Sequence, residues 1–377
     1  MKIIFTGGGT GGHFYPIISV VEEMRLIIRE RKLIDPDLYF LAPDPYDKAV
    51  LFDNNIEYKK VMSGKWRRYF SIMNVVDVFK IIIGIFQALW VVFWIYPDVI
   101  FSKGGFGSIP TVFAGRILGI PIVIHESDSA PGIANKWAGK FATKIAVSFP
   151  EVASYFKKED KVAWTGTPIR KEIAIPAKQG AHEFLHLDKD VPVIFVIGGS
   201  SGAKRINDEI IEALPELLKK YQVIHQVGKN NFADAKQTVE VTLSTENSKE
   251  RYKMFAYLDD LAMRMSAGAA SLIISRAGAT ALAEIAQWGI PSIIVPISES
   301  NLDHQRKNAF NYARSGACSV IEESNLKPEI LSAEIERILT NPSLQEKMKA
   351  GAKSFSKSDA GKIIANEIIN IGLKHEK

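Results

Sequence analysis

Residues 7–13 read Gly-Gly-Gly-Thr-Gly-Gly-His and follow directly on the apolar run Lys2-Ile3-Ile4-Phe5. Five glycines within six positions let the backbone take positive φ and approach a ligand that any Cβ would hold away. Apolar residues then recur at helical spacing from Pro16 to Ile28. Strand, glycine turn and helix in this order predict an α/β fold whose helix N-terminus attracts phosphate through its amides and positive dipole end. His13 adds a titratable group at the edge of the loop.

Three phosphate motifs compete for these residues. Gly7, Gly9 and Gly12 satisfy G-x-G-x-x-G, the dinucleotide pattern, but about twenty residues on stands Ile27 where that fold needs an acid, and Asp44 comes much later. A P-loop fails because His13-Phe14 occupies the Lys-Ser/Thr positions. A loop for a sugar nucleotide or a lipid diphosphate is left, against the plain alternative of a turn that needs glycine only for packing.

A chain of 377 residues is long for one domain, so two are expected. The single cysteine, Cys318, excludes an internal disulfide and fits a reducing compartment. Met1-Lys2 leads straight into strand and glycine turn with no small-residue cleavage site, so no secretory leader is read. A net charge of +5 suits anionic substrates or an anionic membrane surface and gives no sign of a nucleic-acid partner.

One segment departs from the globular pattern. Phe79 to Tyr96 is almost wholly apolar, but the 16 residues between Lys80 and Pro97, interrupted by Gln87, fall short of a bilayer span. Two readings remain: a buried core helix, or a helix with one face in the core and Trp90, Phe93 or Trp94 at a lipid interface. Lys59, Lys60, Lys65, Arg67 and Arg68, with Trp66 and Tyr69 among them, precede it and would favour anionic headgroups. A peripheral contact is expected, with no span.

Short β-rich runs alternate with helical patterns, which predicts parallel sheets with helices on both faces. Strands are read at 2–6, 38–42, 98–102, 121–125 and 144–148, then at 192–197, 222–227, 271–275 and 292–296. The halves share punctuation. Gly198-Gly199-Ser200-Ser201-Gly202 repeats the opening device. Ser102-Lys103-Gly104-Gly105 and Ser275-Arg276-Ala277-Gly278 each precede a helix ending in Gly-Ile-Pro and a further strand. Two Rossmann-like doubly wound domains follow, at 1–164 and 177–355, with a linker at 165–176 and a final helix, in 356–377, crossing back to the first. Such a pair offers glycine loops at the carboxyl ends of two sheets, one substrate per domain, with a cleft between.

With these motifs in place the chain resembles the family 28 GT-B glycosyltransferases of peptidoglycan synthesis over nearly its whole length. The resemblance is carried by Gly8-Gly9-Thr10-Gly11-Gly12-His13 with Pro16, Gly104-Gly105-Phe106-Gly107-Ser108, His125-Glu126, Gly132 with Asn135-Lys136, and Gly166-Thr167-Pro168-Ile169-Arg170. It continues through Gly198–Ala203, His225-Gln226 with Gly228, Arg276-Ala277-Gly278-Ala279 with Glu284, and Asp303-His304-Gln305 with Asn308-Ala309. It implies inverting transfer of N-acetylglucosamine from UDP-GlcNAc to the C4 hydroxyl of a polyprenyl-diphosphate-linked muramoyl-peptide, at the cytoplasmic face of the membrane. The first domain would hold the lipid acceptor and the second the nucleotide sugar.

The residue roles are likewise implied by the resemblance. Thr10, Gly11 and Gly12 would contact the donor sugar or the acceptor diphosphate, with Gly9, Gly104, Gly105 and Phe106 on the acceptor side. Arg170 and Ser200 would bind donor phosphate, Leu258 the uracil through its backbone, Glu284 the ribose hydroxyls, and Gln305 the sugar or its phosphate; Ala279 and Thr280, at the start of the helix that carries Glu284, would also contact the donor. Bland alternatives stand beside these: an exposed helix acid for Glu284, a helix N-cap for Ser200 and an ion pair for Arg170. Asp128 would contact the donor sugar; many members of the family read Asn at this place, and a carboxylate accepts hydrogen bonds without donating them.

Inversion needs a base for the acceptor proton. His13 is the first candidate, expected near its ordinary pKa, and Glu126 the second; His125 ends the same strand as Glu126. His13 could equally donate to a diphosphate. The pairs Asp35/Asp37 and Asp188/Asp190 read as turns, so no metal cluster is expected and Mg²⁺ would accompany the diphosphate. A soluble UDP-sugar epimerase of the same fold and a non-catalytic nucleotide-sugar sensor at the membrane are the rival readings.

Overall fold

The computed structural model describes residues 1–64, 72–199, 202–244, 248–298 and 303–375, with side chains left aside at 72–76. The chain divides into two compact units, Met1–Arg170 with Lys357–Lys377, and Lys171–Ser356.

Among the described residues of the first unit, seven strands form one parallel sheet: β1 (Lys2–Thr6), β2 (Asp37–Ala42), β3 (Ile56–Lys60), β4 (Val99–Ser102), β5 (Ile122–Glu126), β6 (Lys144–Val147) and β7 (Val162–Trp164), in the order β3-β2-β1-β4-β5-β6-β7. Ile3, Phe5, Val99, Phe101 and Val123 are buried because helices cover both faces, as a parallel sheet requires. The order reverses between β1 and β4, where Thr6 pairs with Ser102 and the two following loops leave side by side. The helix Gly11–Glu30 begins inside the glycine loop, earlier than the apolar spacing from Pro16 indicated. The last helix, Ala360–His375, packs on it through Ile364, Ala365, Ile368 and Ile369.

The second unit repeats the plan with β8 (Val193–Ile197), β9 (Gln222–Gln226), β10 (Tyr252–Phe255), β11 (Leu272–Ser275), β12 (Ser292–Ile294) and β13 (Cys318–Val320), ordered β10-β9-β8-β11-β12-β13 and parallel throughout. Its reversal lies between β8 and β11, again at the two glycine loops. Open α/β sheets bind ligands at such switch points.

The stretch 165–176, expected as a linker, carries structure on both sides of the boundary. Thr165–Arg170 completes the first unit. A short helix, Lys171–Ala174, opens the second, where Trp288 Nε1 donates to Ile173 O at 2.7 Å. Of the D-x-D pairs, Asp37 opens β2, while Asp188 accepts from the Asp190 amide at 3.0 Å in a turn.

The apolar segment forms one helix, Ile72–Ile95. Its buried stripe is Asp77, Gly84, Ala88, Val92 and Ile95. Gly84 lies so close to Met62 O that a Cβ would meet it, and Gln87 Oε1 accepts from the Met62 amide at 2.9 Å. Gly84 and Gln87 thus serve docking onto the loop after β3. The opposite face exposes Phe79, Ile82, Ile83 and Phe86, then Trp90 at 67%, Phe93 at 58% and Trp94 at 66%. The helix is long and apolar enough to span a membrane by composition. Its docked stripe fits a helix lying on the protein with one face outward.

Candidate active site

In the first unit the loops after β1, β4 and β5 converge. Thr10 is the N-cap of the helix Gly11–Glu30, yet its hydroxyl does not cap the helix amides. Its Oγ1 instead lies 2.7 Å from His13 Nδ1. The first-turn amides of Gly11 and Gly12 are therefore not satisfied by a side-chain cap, the arrangement that suits an anion. On the other side, Gly104 and Gly105 take φ of +83° and +80°. A Cβ on Gly105 would sit 3.0 Å from Gly8 Cα and 3.5 Å from His13 Nε2, so two glycine loops and the imidazole meet with no room for side chains. Phe106 opens a short 3₁₀ turn just beyond, and its carbonyl accepts from Ser63 Oγ at 2.6 Å.

Burial, with the Lys103 charge adding to it, lowers the His13 pKa to about 4, while Asp128 opposes the shift. The sequence placed this histidine near its ordinary value; the structure corrects that, because desolvation and a buried cation both disfavour the imidazolium. His13 is neutral throughout the physiological range.

Glu126 and His125 are occupied within the protein. The Glu126 carboxylate accepts from the amides of Asp128 and Gly132 and from Asn135 Nδ2, each at 3.0 Å, and clasps the loop 127–132. Burial and the neighbouring Asp128 raise its pKa. His125 is fully buried, with Nε2 2.9 Å from Gly166 O and 3.3 Å from Ser148 Oγ; burial holds its pKa well below the usual value. Both residues order the site, and His13 alone of the three presents a ring nitrogen to the glycine loops. Lys103, which the sequence reading used only as a repeat marker, lies beneath the loops: it is buried and donates to Ser127 Oγ. A lysine that ends a strand reads as solvated, and only tertiary packing reveals otherwise.

Arg170 ends the unit with its guanidinium 4.3 Å from the centroid of the Tyr15 ring, directly after the helix start that carries His13. Asp128 is half-buried on the clasped loop.

In the second unit the corresponding loops follow β8 and β11. Gly199 and Gly202 take φ of +77° and lead into the helix Lys204–Lys220, and Gly278 leads into the helix Ala279–Trp288; neither helix has a side-chain cap. Ala279, Thr280 and Glu284 lie on that second helix, half-buried or buried. Gln226, at the end of β9, joins two expected elements: its Nε2 donates to Gly199 O at 3.3 Å and its Oε1 accepts from the Leu258 amide at 3.1 Å. The Leu258 N–H is thereby engaged within the protein. Gln305 Oε1 accepts from the Ile297 amide at 3.2 Å. Ser200, Trp66, Arg67 and Arg68 lie outside the described residues. Among the described residues no three His, Cys, Asp or Glu side chains converge to hold a metal.

Two family models match: the glycosyltransferase family 28 N-terminal domain over residues 3–147 and the C-terminal domain over 193–363. A relative from Clostridium novyi is 36% identical over 378 residues, covering 100% of this chain and 99% of its own. One from Bacillus anthracis is 36% identical over 374, covering 97% and 99%. The chain belongs to glycosyltransferase family 28. Both relatives are named UDP-N-acetylglucosamine–N-acetylmuramyl-(pentapeptide) pyrophosphoryl-undecaprenol N-acetylglucosamine transferase, the second with the suffix 2. Among solved structures, MurG of Acinetobacter baumannii superposes with a TM-score of 0.73 at 23% identity, covering 98% of this chain and 99% of that one. The UDP-GlcNAc 2-epimerase of Neisseria meningitidis, solved with UDP-GlcNAc, gives 0.68 at 14%, covering 98% and 100%. These two likenesses establish the GT-B fold that family 28 shares with epimerases.

Proposed function

We propose that this family 28 enzyme transfers N-acetylglucosamine from UDP-GlcNAc to the C4 hydroxyl of a polyprenyl-diphosphate-linked muramoyl-peptide, with inversion. The observation that carries the proposal is 36% identity, end to end, to relatives named for that transfer. In this reading the second unit binds the nucleotide sugar through the loops after β8 and β11, and the first binds the acceptor at the loops after β1 and β4.

Neutral His13 is the base. With Nδ1–H donated to Thr10 Oγ1, Nε2 keeps its lone pair toward the glycine loops. It takes the acceptor hydroxyl proton as that oxygen bonds to the anomeric carbon and the bond from that carbon to the UDP oxygen breaks. The electron pair leaves on the diphosphate, whose growing charge suits the uncapped helix amides. A diphosphate bound near His13 adds negative charge and raises its pKa toward neutrality, which strengthens the base when substrate is present. Any Mg²⁺ would arrive with the diphosphate.

The exposed face of the helix Ile72–Ile95 would hold the enzyme at the cytoplasmic surface of an anionic membrane, where a polyprenyl acceptor resides.

The test is release of UDP from UDP-GlcNAc with and without the muramoyl lipid acceptor. Release only with acceptor supports transfer; formation of an epimer without acceptor ends the proposal. His13→Ala is expected to lower turnover on the order of a hundredfold or more.

A further inference from the structure

Lys103 is 2% exposed, too deep to touch a substrate, and a buried ammonium is costly to keep. A point 3.4 Å from its Cβ and 3.6 Å from the His13 Cβ is where a Cβ on Gly7 would stand, so the two side chains flank one glycine. The ammonium donates to Ser127 Oγ, and Ser127 sits between Glu126 and Asp128 in a loop that Glu126 clasps. The charged and titratable groups around it are His13 from the helix Gly11–Glu30, His125 and Glu126 from β5, and Asp128 from the loop beyond.

We infer that Lys103 and Asp128 form an opposed charge couple that tunes the protonation of His13 on top of the larger effect of burial, with Lys103 acting as a positioning residue beneath the glycine loops. Lys103 disfavours the imidazolium and Asp128 favours it. As transfer proceeds, Asp128 stabilises the proton on His13 while Lys103 limits how firmly it is held, which keeps the base ready for the next turnover. The carboxylate at 128 and the buried cation are therefore needed together: an amide at 128 beside Lys103 would leave the cation's effect on His13 unopposed by that carboxylate. The consequence for catalysis rests on the proposed role of His13 as base; the couple itself does not.

The test follows the His13 ring by NMR titration in the full chain, for the parent protein, Lys103→Met, Asp128→Asn and the double variant, with kcat/KM recorded over the same pH range. Lys103→Met is expected to move the His13 titration to higher pH, Asp128→Asn to lower pH, and the double variant to lie between. For Lys103→Met, the acid limb of kcat/KM should move to higher pH in step with the His13 titration. Position 128 is half-buried on a loop, so Asp128→Asn reads the couple even if Lys103→Met does not fold. The inference is overturned if Asp128→Asn leaves the titrations of both His13 and Lys103 unchanged. A His13 titration that moves without any change in kcat/KM upholds the couple and refutes the base role instead.

Discussion

Replacing Trp90 and Trp94 by Ser should strip the protein from membranes while leaving its nucleotide site intact. At 67% and 66% exposure, the two residues offer about 300 Å² of surface, taking roughly 230 Å² for a whole tryptophan. Removal of all of it from water would be worth ~8 kcal/mol at about 25 cal/mol per Å². A ring at a lipid interface keeps part of its surface wet, and taking half as desolvated leaves ~4 kcal/mol. That corresponds to a loss on the order of 500-fold in partition, since each 1.4 kcal/mol is tenfold. Phe79, Ile82, Ile83, Phe86 and Phe93 stay in place and support residual binding.

The substitutions should cost the fold little. The two rings pair edge-on at 5.7 Å, and Trp94 meets Phe93 at 6.0 Å, so about 1 kcal/mol of ring–ring contact is lost. Sedimentation with vesicles of mixed phosphatidylglycerol and phosphatidylcholine reads the partition, and UDP titration with circular dichroism confirms the fold. A folded double variant that binds vesicles within about threefold of the parent would refute the membrane role of this face.

Two further outcomes follow from local geometry. Gly104→Ala puts a Cβ 2.6 Å from Asn135 Nδ2 at φ +83°; left-handed strain plus the Asn135 bonds it displaces should cost about 3 kcal/mol, whereas Gly119→Ala, at φ +74° in open space, should cost only the ~1 kcal/mol of strain, and equal losses in chemical denaturation would count against the role given to Asn135. His225 is fully buried between Tyr252 and Asn207, and burial lowers its pKa to about 3; the unfolded chain takes up a proton below about pH 6.5 that the folded chain refuses, so stability falls as pH drops, by ~2 kcal/mol between pH 7 and 5. His225→Gln should remove that part of the acid slope, and an unchanged slope would show that the ring is protonated in place.

The nine strands legible in the sequence are the interior strands of the two sheets, whose apolar runs are continuous because both faces are covered. The four that were missed, β3, β7, β10 and β13, are the four sheet edges. Ile56–Lys60 carries Glu57, Lys59 and Lys60, and Val162–Trp164 and Cys318–Val320 have only three residues each. Edge strands are short and polar where solvent lies beside them, which erases the signal that betrays a buried strand. The loop Gly7–Gly12 was legible through its glycines, but the positive φ expected there is not found: Gly104 and Gly105 are the left-handed residues, and the first loop meets them by close approach, with Gly8 Cα 3.0 Å from where a Gly105 Cβ would stand. The duties of His125 and Glu126 were not: motif membership marks a residue as needed without saying whether a substrate or Gly166 and the loop 127–132 use it. Lys103 and Gln226 stood in the sequence only as members of motifs, and their roles became visible through the partners that folding brought to them.

The duplicated plan makes the difference between the two units informative. Each places two glycine loops at the reversal of its strand order, and each leads into helices without side-chain caps. In the first unit the loops gather His13, Lys103, Glu126 and Asp128, groups able to hold or repel a proton. In the second, among the described residues, Arg276 beside the loop after β11 pairs with Glu323 and reaches Val295 O. The buried His225 is bonded to Asn207 and Tyr252, inside the sheet. One architecture is thus tuned for two tasks. A leaving diphosphate needs fixed amides and no base, whereas an attacking hydroxyl needs a group that accepts its proton. Under the proposed function, the proton chemistry would belong to the first unit and the restraint of the departing nucleotide to the second, the division that an inverting transfer between two diphosphate-bearing substrates requires.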